Sequence, residues 1–296
     1  MVAEALEHLA PARGGVFVDG TVGLGGHACA VLEAGATTLL GVDRDPVAVE
    51  LARERLAEFG DRARVMHGDY RDLPAILDVA GLSTVDGILL DLGVSSMQFD
   101  APGRGFSFQR DEPLDMRMDT SQGQTAAEML ESVDEKALAD VIYEFGEERF
   151  ARRIARYLVA ARATGRIETT GRLAEVVRRA VPRRGYTRID PATRTFQAVR
   201  IWVNRELEGL GECLDAAAGR LRPGGRLVVI TFHSLEDRIV KHAFRSMQAA
   251  GTHGLRVLTK RPLVPTAGEI ERNPRARSAK LRAAEAAEPA GAVEVG

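Results

Sequence analysis

The segment Val18-Asp-Gly-Thr-Val-Gly-Leu-Gly-Gly-His27 carries four glycines within seven residues, directly after an apolar run and directly before an alanine-rich one. A chain that loosens in this way between an extended pattern and a helical one can bring its backbone close to a ligand. The fold that uses such a turn is a parallel sheet wrapped by helices. The flanking sequence agrees. Residues 15–18 read as a buried strand and 27–33 as a helix, followed by strands at 37–42, 64–67 and 85–90. After the second strand, Asp45 predicts an N-cap and Pro46 the first helical position, with Leu51, Leu56 and Phe59 on the apolar face and Gly60 at the end. Strands alternating with helices predict the α/β class, with a doubly wound, Rossmann-like sheet.

The alternation stops near Gly105. From there to Asp190 the chain is polar and proline-punctuated, with helices predicted at 137–145, 150–163 and 173–181. This predicts a helical domain, 105–190, inserted into a core made of 1–104 and 191–296. Sheet logic resumes with an amphipathic helix over 195–207, a further helical segment to Leu221, and a strand ending at Phe232. The alanine- and glutamate-rich tail after Ala283 predicts a frayed end.

No apolar run nears the roughly 20 residues of a membrane helix, and the first residues lack the basic-then-apolar pattern of a secretory signal. The only cysteines, Cys29 and Cys213, cannot form a disulfide framework, so a cytoplasmic protein is expected. Net charge is −2, yet the charge is uneven. Twelve arginines face four acidic residues between Glu148 and Asp190, and eight basic residues face two acidic between Arg256 and Arg282. Either these are solvated faces, or they are a surface for a polyanion.

The glycine turn alone is a weak signal. Asp43, at the end of the second strand and about 20 residues on, is placed to accept ribose hydroxyls. NAD(P) and S-adenosylmethionine both fit this geometry, and charge separates them. A pyrophosphate would be repelled by Asp19 before the turn and Asp91 at the tip of the fourth strand, whereas a sulfonium and an ammonium would be attracted. The loop also lacks the G-x-G-x-x-G spacing. S-adenosylmethionine is the expected cofactor, and no metal-ligand pattern is present.

Five blocks then carry a resemblance. They are Leu221-Arg-Pro-Gly-Gly-Arg-Leu-Val-Val229, Asp86-Gly-Ile-Leu-Leu-Asp-Leu-Gly-Val-Ser-Ser96, Arg104-Gly-Phe-Ser-Phe108 with Pro113-Leu-Asp-Met-Arg-Met-Asp119, Phe232-His-Ser-Leu-Glu-Asp-Arg238, and Asn273-Pro-Arg-Ala-Arg-Ser-Ala-Lys-Leu-Arg282. In this order, over roughly residues 3 to 284, the chain resembles the bacterial small-subunit rRNA cytosine-N4 methyltransferase family, the RsmH or MraW type. The resemblance implies a class I methyltransferase core, an inserted helical domain, and methyl transfer to a decoding-region cytidine in naked rRNA or an assembled small subunit. The charge imbalance predicts that the inserted domain, with Arg152, Arg153, Arg183 and Arg184 in it, faces RNA. The resemblance also implies cofactor contacts at Gly25, Gly26, His27, Asp43, Tyr70, Asp91 and Gln98, with Tyr70 stacked on adenine. Two departures stand out. The His-x-Pro-Val segment that precedes the first helix in the family is missing, which implies a truncated or misassigned start. Asp190 stands where the family has a histidine, so no substrate role carries over to that position.

For the chemistry, an exocyclic amine conjugated to its ring must pyramidalise, and acceptors holding its two hydrogens favour that geometry. Asp91 could contact cofactor, receive those hydrogens, or do both. His233, after the last strand, could take the released proton or bond locally. A nicotinamide-linked oxidoreductase and a non-catalytic ribosome-assembly protein remain as alternatives, and the sequence leaves a homodimer open.

Overall fold

The computed structural model describes residues 1–182 and 190–287. In chain order its elements begin α1 (Val2–Leu9), β1 (Val16–Asp19), α2 (Gly26–Glu33), β2 (Thr38–Asp43), α3 (Pro46–Leu56), β3 (Ala63–His67), α4 (Leu73–Ala80) and β4 (Val85–Asp91). A helical stretch follows, with α5 (Ser96–Asp100), α6 (Ala126–Ser132), α7 (Glu135–Gly146), α8 (Ala151–Arg162), α9 (Thr170–Ala180) and α10 (Ala192–Asn204). The chain then continues as α11 (Leu210–Ala218), β5 (Leu221–Thr231), α12 (Ser234–Ala250), β6 (Leu255–Val257), α13 (Ala267–Arg272) and β7 (Lys280–Ala286).

Two compact units result: Met1–Gly93 with Gly209–Gly296, and Val94–Glu208. The first is a seven-stranded, doubly wound sheet in the order β3-β2-β1-β4-β5-β7-β6. Strands β1 to β5 run parallel, while β7 is antiparallel to both of its neighbours. Because β1 and β4 are neighbours, the winding reverses between them, and their carboxyl ends open the crevice where such sheets bind ligands. Period-two alternation divides the strands between two cores. Val18, Leu40, Ile88 and Leu90 pack with Leu77, Leu214 and Phe244 on one face. Phe17, Leu39, Leu89 and Val228 pack with Leu9, Leu32 and Leu56 on the other.

The tail is not frayed before residue 287. Leu281, Ala283 and Ala284 are fully buried in β7, between β5 and β6. Alanine favours helix on propensity, but a strand covered on both faces needs small side chains, and packing decides.

The second unit has its own core, built from Leu130, Ile142, Ile154, Leu158, Val177 and Phe196 among others. Its limits differ from the 105–190 that the sequence predicts. Residues 94–104 and 191–208 belong to it, because α10 buries Phe196 and Val199 there. Asn204 near the end of α10 is also tied to this unit. Its Oδ1 accepts from Met118 N at 2.7 Å and its Nδ2 donates to Met116 O at 2.7 Å.

Candidate active site

Three adjacent parallel strands each end on an aspartate: β1 on Asp19, β2 on Asp43 and β4 on Asp91. Each is the first residue past a buried apolar run, so the sheet lines the three carboxylates along one edge. The glycine turn rises from the middle of them. Gly25 takes φ +76 as the N-cap of α2, a left-handed conformation that glycine adopts without strain.

Asp43 holds the turn in place. Its Oδ2 accepts from Gly23 N at 2.8 Å and its Oδ1 from Asp45 N at 2.9 Å. A carboxylate offers about four lone-pair positions, so two more acceptor directions remain. Asp45 caps α3 by accepting from Val47 N at 3.0 Å. No side chain caps α2, and a Cβ placed on Gly26 would meet no protein atom within 4 Å. The first amides of this helix therefore have no side-chain acceptor, an arrangement suited to an anion.

Next along the turn, His27 Nδ1 lies 3.5 Å from Asp91 Oδ2. His27 Nε2 and Asp91 Oδ1 are both shielded from water and have no hydrogen-bond partner. Asp91 N donates to Thr21 Oγ1 at 2.6 Å, which ties the tip of β4 to the end of β1. Asp19 is 2% exposed. Burial pushes its carboxyl up to about 7, the Thr21 amide opposes the rise, and the charges of Asp91 and Asp43 add to it. Burial likewise raises the Asp43 and Asp91 carboxyls. One buried and two half-buried carboxylates gathered at one strand edge with so few donors are electrostatically costly unless a cation joins them.

Tyr70 opens a short 3-10 turn after β3, and burial pushes its hydroxyl up. A Cβ on Gly20 would come within 3.3 Å of Tyr70 Cβ, so the tyrosine stands over the end of β1. Gln98 belongs to the helical unit, where its Oε1 accepts from Ser95 N at 3.0 Å as half of a capping box. His233 is the N-cap of α12: its Nδ1 accepts from Glu236 N at 3.4 Å, and Nε2 lies 3.1 Å from Glu236 Oε1. Of the predicted site residues, the structure thus gathers Gly25, Gly26, His27, Asp43, Asp91 and Tyr70 about one strand edge. It engages His233 in starting its own helix.

Sequence reasoning passed over Thr21 and Glu236. Glu236 is 1% exposed, accepts from Phe232 N at 2.9 Å, and adds to the rise of Asp91. Its signal was present as a glutamate three residues after a strand-end cap, the capping-box spacing.

Residues 1–287 match the model of the MraW methylase family. The chain belongs to that family. Among its relatives, "Ribosomal RNA small subunit methyltransferase H" of Geobacter sulfurreducens is 52% identical over 301 residues, covering 96% of this chain and 97% of the relative. The protein of the same name from Deinococcus radiodurans is 53% identical over 293 residues, covering 98% of this chain and 90% of the relative. A MraW methylase is a methyltransferase, and the nicotinamide-linked and non-catalytic alternatives fall with that membership. Among the described residues of this family member, no helix is long and apolar enough to cross a membrane.

Proposed function

We propose that the chain transfers the methyl group of S-adenosylmethionine to the exocyclic N4 amine of a cytidine in the decoding region of small-subunit rRNA, with a cytoplasmic site of action. The observation that carries the cofactor site is the row of Asp19, Asp43 and Asp91 around an uncapped glycine turn, with Asp91 Oδ1 and His27 Nε2 left without partners. S-adenosylmethionine supplies a methyl group made electrophilic by a positively charged sulfur. Its two positive charges suit the three carboxylates, its carboxylate suits the free amides at Gly26 and His27, and its ribose suits the remaining lone pairs of Asp43. Tyr70, over the end of β1, is the aromatic wall for adenine.

Asp91 does two things in this reading. Its charge favours a cation at the strand edge. Its Oδ1 can accept a hydrogen from an incoming amine, holding the nitrogen lone pair away from the ring. His27, 3.5 Å from the other oxygen, fixes the direction of that carboxylate. His233 acts as a positioning residue, since its Nδ1 already serves the first turn of α12. In the helical unit, Arg152 and Arg153 in the exposed first turn of α8, with Arg149 just before it, form the RNA-facing candidate. The remaining residues of that expectation, Arg183 and Arg184, lie outside the described residues.

Incubation with methyl-labelled S-adenosylmethionine and small ribosomal subunits, followed by nucleotide mapping, tests the reading. Label at N4 of a single decoding-region cytidine is the expected result. Label on another base or on protein would overturn it.

A further inference from the structure

Away from the strand edge, the methyltransferase unit holds a second concavity of about 190 Å³, between α12 and the β6 side of the sheet. Four cationic side chains line it: Lys241 and Arg245 from α12, Lys260 just past β6, and Arg282 from β7. The acids nearby are already occupied. Asp237 receives Arg282 Nε at 2.7 Å and Lys280 Nζ at 3.2 Å, and Glu285 pairs with Arg226 at 2.9 Å and Arg256 at 2.7 Å. Among the described residues no acidic partner stands against Lys241, Arg245 or Lys260.

The polar groups lining this concavity share a chemical bias. Thr259 Oγ1 accepts from Ala283 N at 2.9 Å, which leaves its O–H hydrogen to give. Gln248 Oε1 accepts from Val257 N at 2.7 Å, which leaves its NH2 to give. Arg282 is 6% exposed and anchored through Nε, which leaves its two terminal nitrogens to give. With the three unpartnered cations, the groups still available are mostly donors, over a floor formed by Phe244, and the second lone pairs of Thr259 Oγ1 and Gln248 Oε1 are the acceptors among the lining side chains. A concavity lined by four cations and rich in donors favours an anionic ligand made of acceptors, and a phosphodiester is such a ligand. The segment between Lys260 and Arg282 also exposes Arg261, Arg272 and Arg277.

We propose that this pocket seats a backbone phosphate of the substrate RNA, so that the methyltransferase unit itself, and not only the helical unit, holds the strand. The proposal rests on the reading of the chain as an rRNA methyltransferase. Arg282 is best left intact as the partner of Asp237, and the outer cations can be neutralised together in K241Q/R245Q/K260Q.

The test titrates the full chain with a fluorescein-labelled single-stranded RNA of the decoding-region sequence at several salt concentrations. The variant should bind about tenfold more weakly at low salt, and its log affinity against log salt should be shallower by about 0.7, the loss of one phosphate contact on a single strand. Melting temperature and S-adenosylmethionine affinity should match those of the parent chain. An unchanged slope and affinity would overturn the proposal. So would orthophosphate binding, followed by phosphorus NMR, that is lost in the variant while the RNA slope stays the same, since the pocket would then serve a free anion. A parent chain that binds no RNA would instead overturn the rRNA reading, and the orthophosphate titration would then decide whether any anion site exists.

Discussion

Asp91 separates charge from shape at the strand edge. Asn keeps the outline and one acceptor oxygen, so Asp91→Asn should lower single-turnover methylation on the order of 10²-fold at saturating cofactor. If saturating S-adenosylmethionine restores the full rate, Asp91 serves binding alone. Asp43 has two duties, and one substitution reveals both. Asp43→Ala removes the acceptors for Gly23 N and Asp45 N along with those for ribose. It should weaken cofactor binding by about 1–3 kcal/mol and also lower the melting temperature. Weaker binding with unchanged melting would show that the turn holds without it. Asp19 sets a pH dependence. Its carboxyl sits at about 7 in the fold against 3.8 for the free group, so its contribution to stability is full below 3.8 and is lost as pH rises through about 7. A cationic ligand favours the ionised form, so affinity for S-adenosylmethionine should rise with pH across the same window and binding near neutrality should release protons. Calorimetry in buffers of different ionisation heat measures that release, and Asp19→Asn should abolish it. Identical profiles for the two proteins would uncouple Asp19 from the ligand.

Among the elements, β7 is the one whose role exceeds its sequence pattern. It lies between β5 and β6, and through Arg282 and Lys280 it neutralises Asp237 in the first turn of α12. Leu281 is 0% exposed and belongs to the core on the α1 face. Leu281→Ala should destabilise the chain by about 2–5 kcal/mol, the range for a buried leucine truncated in a close-packed interior. Chemical denaturation checks this, and a cost below about 1 kcal/mol would mean that the end of the sheet yields and refills the space. Helix α12 shows a second element-scale effect. Histidine is an uncommon N-cap, yet His233 and Glu236 together satisfy the amides where β5 turns into the helix.

Across the whole molecule, charge is distributed less simply than the arginine count suggests. Arg156, Arg166, Arg172, Arg178 and Arg179 have acidic partners, and Arg162 donates to the carbonyls of Leu130 and Val133. Arg153 lies over Tyr157 and Arg149 over Phe150, so both keep a charge for solvent or ligand. Arg152 and Arg153 are exposed in the first turn of α8, and Arg149 stands just before it. Arg152→Glu with Arg153→Glu should therefore weaken RNA binding and flatten its salt dependence while S-adenosylmethionine affinity stays the same. An unchanged salt slope would make this face a solvated one.

The glycine turn, the first four strands and the three strand-end aspartates were legible in the sequence because each is encoded locally. A buried strand is a short apolar run, and its end is the first polar residue after it. The cap at Asp45 and the proline after it were legible for the same reason. Tertiary structure alone decided which strands became neighbours, and so that Asp19, Asp43 and Asp91 share one edge, where the charges of the other two raise Asp19. It placed an alanine-rich tail inside a sheet, where burial on both faces outweighs propensity. It drew residues 94–104 and 191–208 into the helical unit, because the apolar face of α10 could be buried there. And it gave His233 a helix to cap, since a side chain's hydrogen-bond partner depends on where the next turn of chain lies, which no periodicity records.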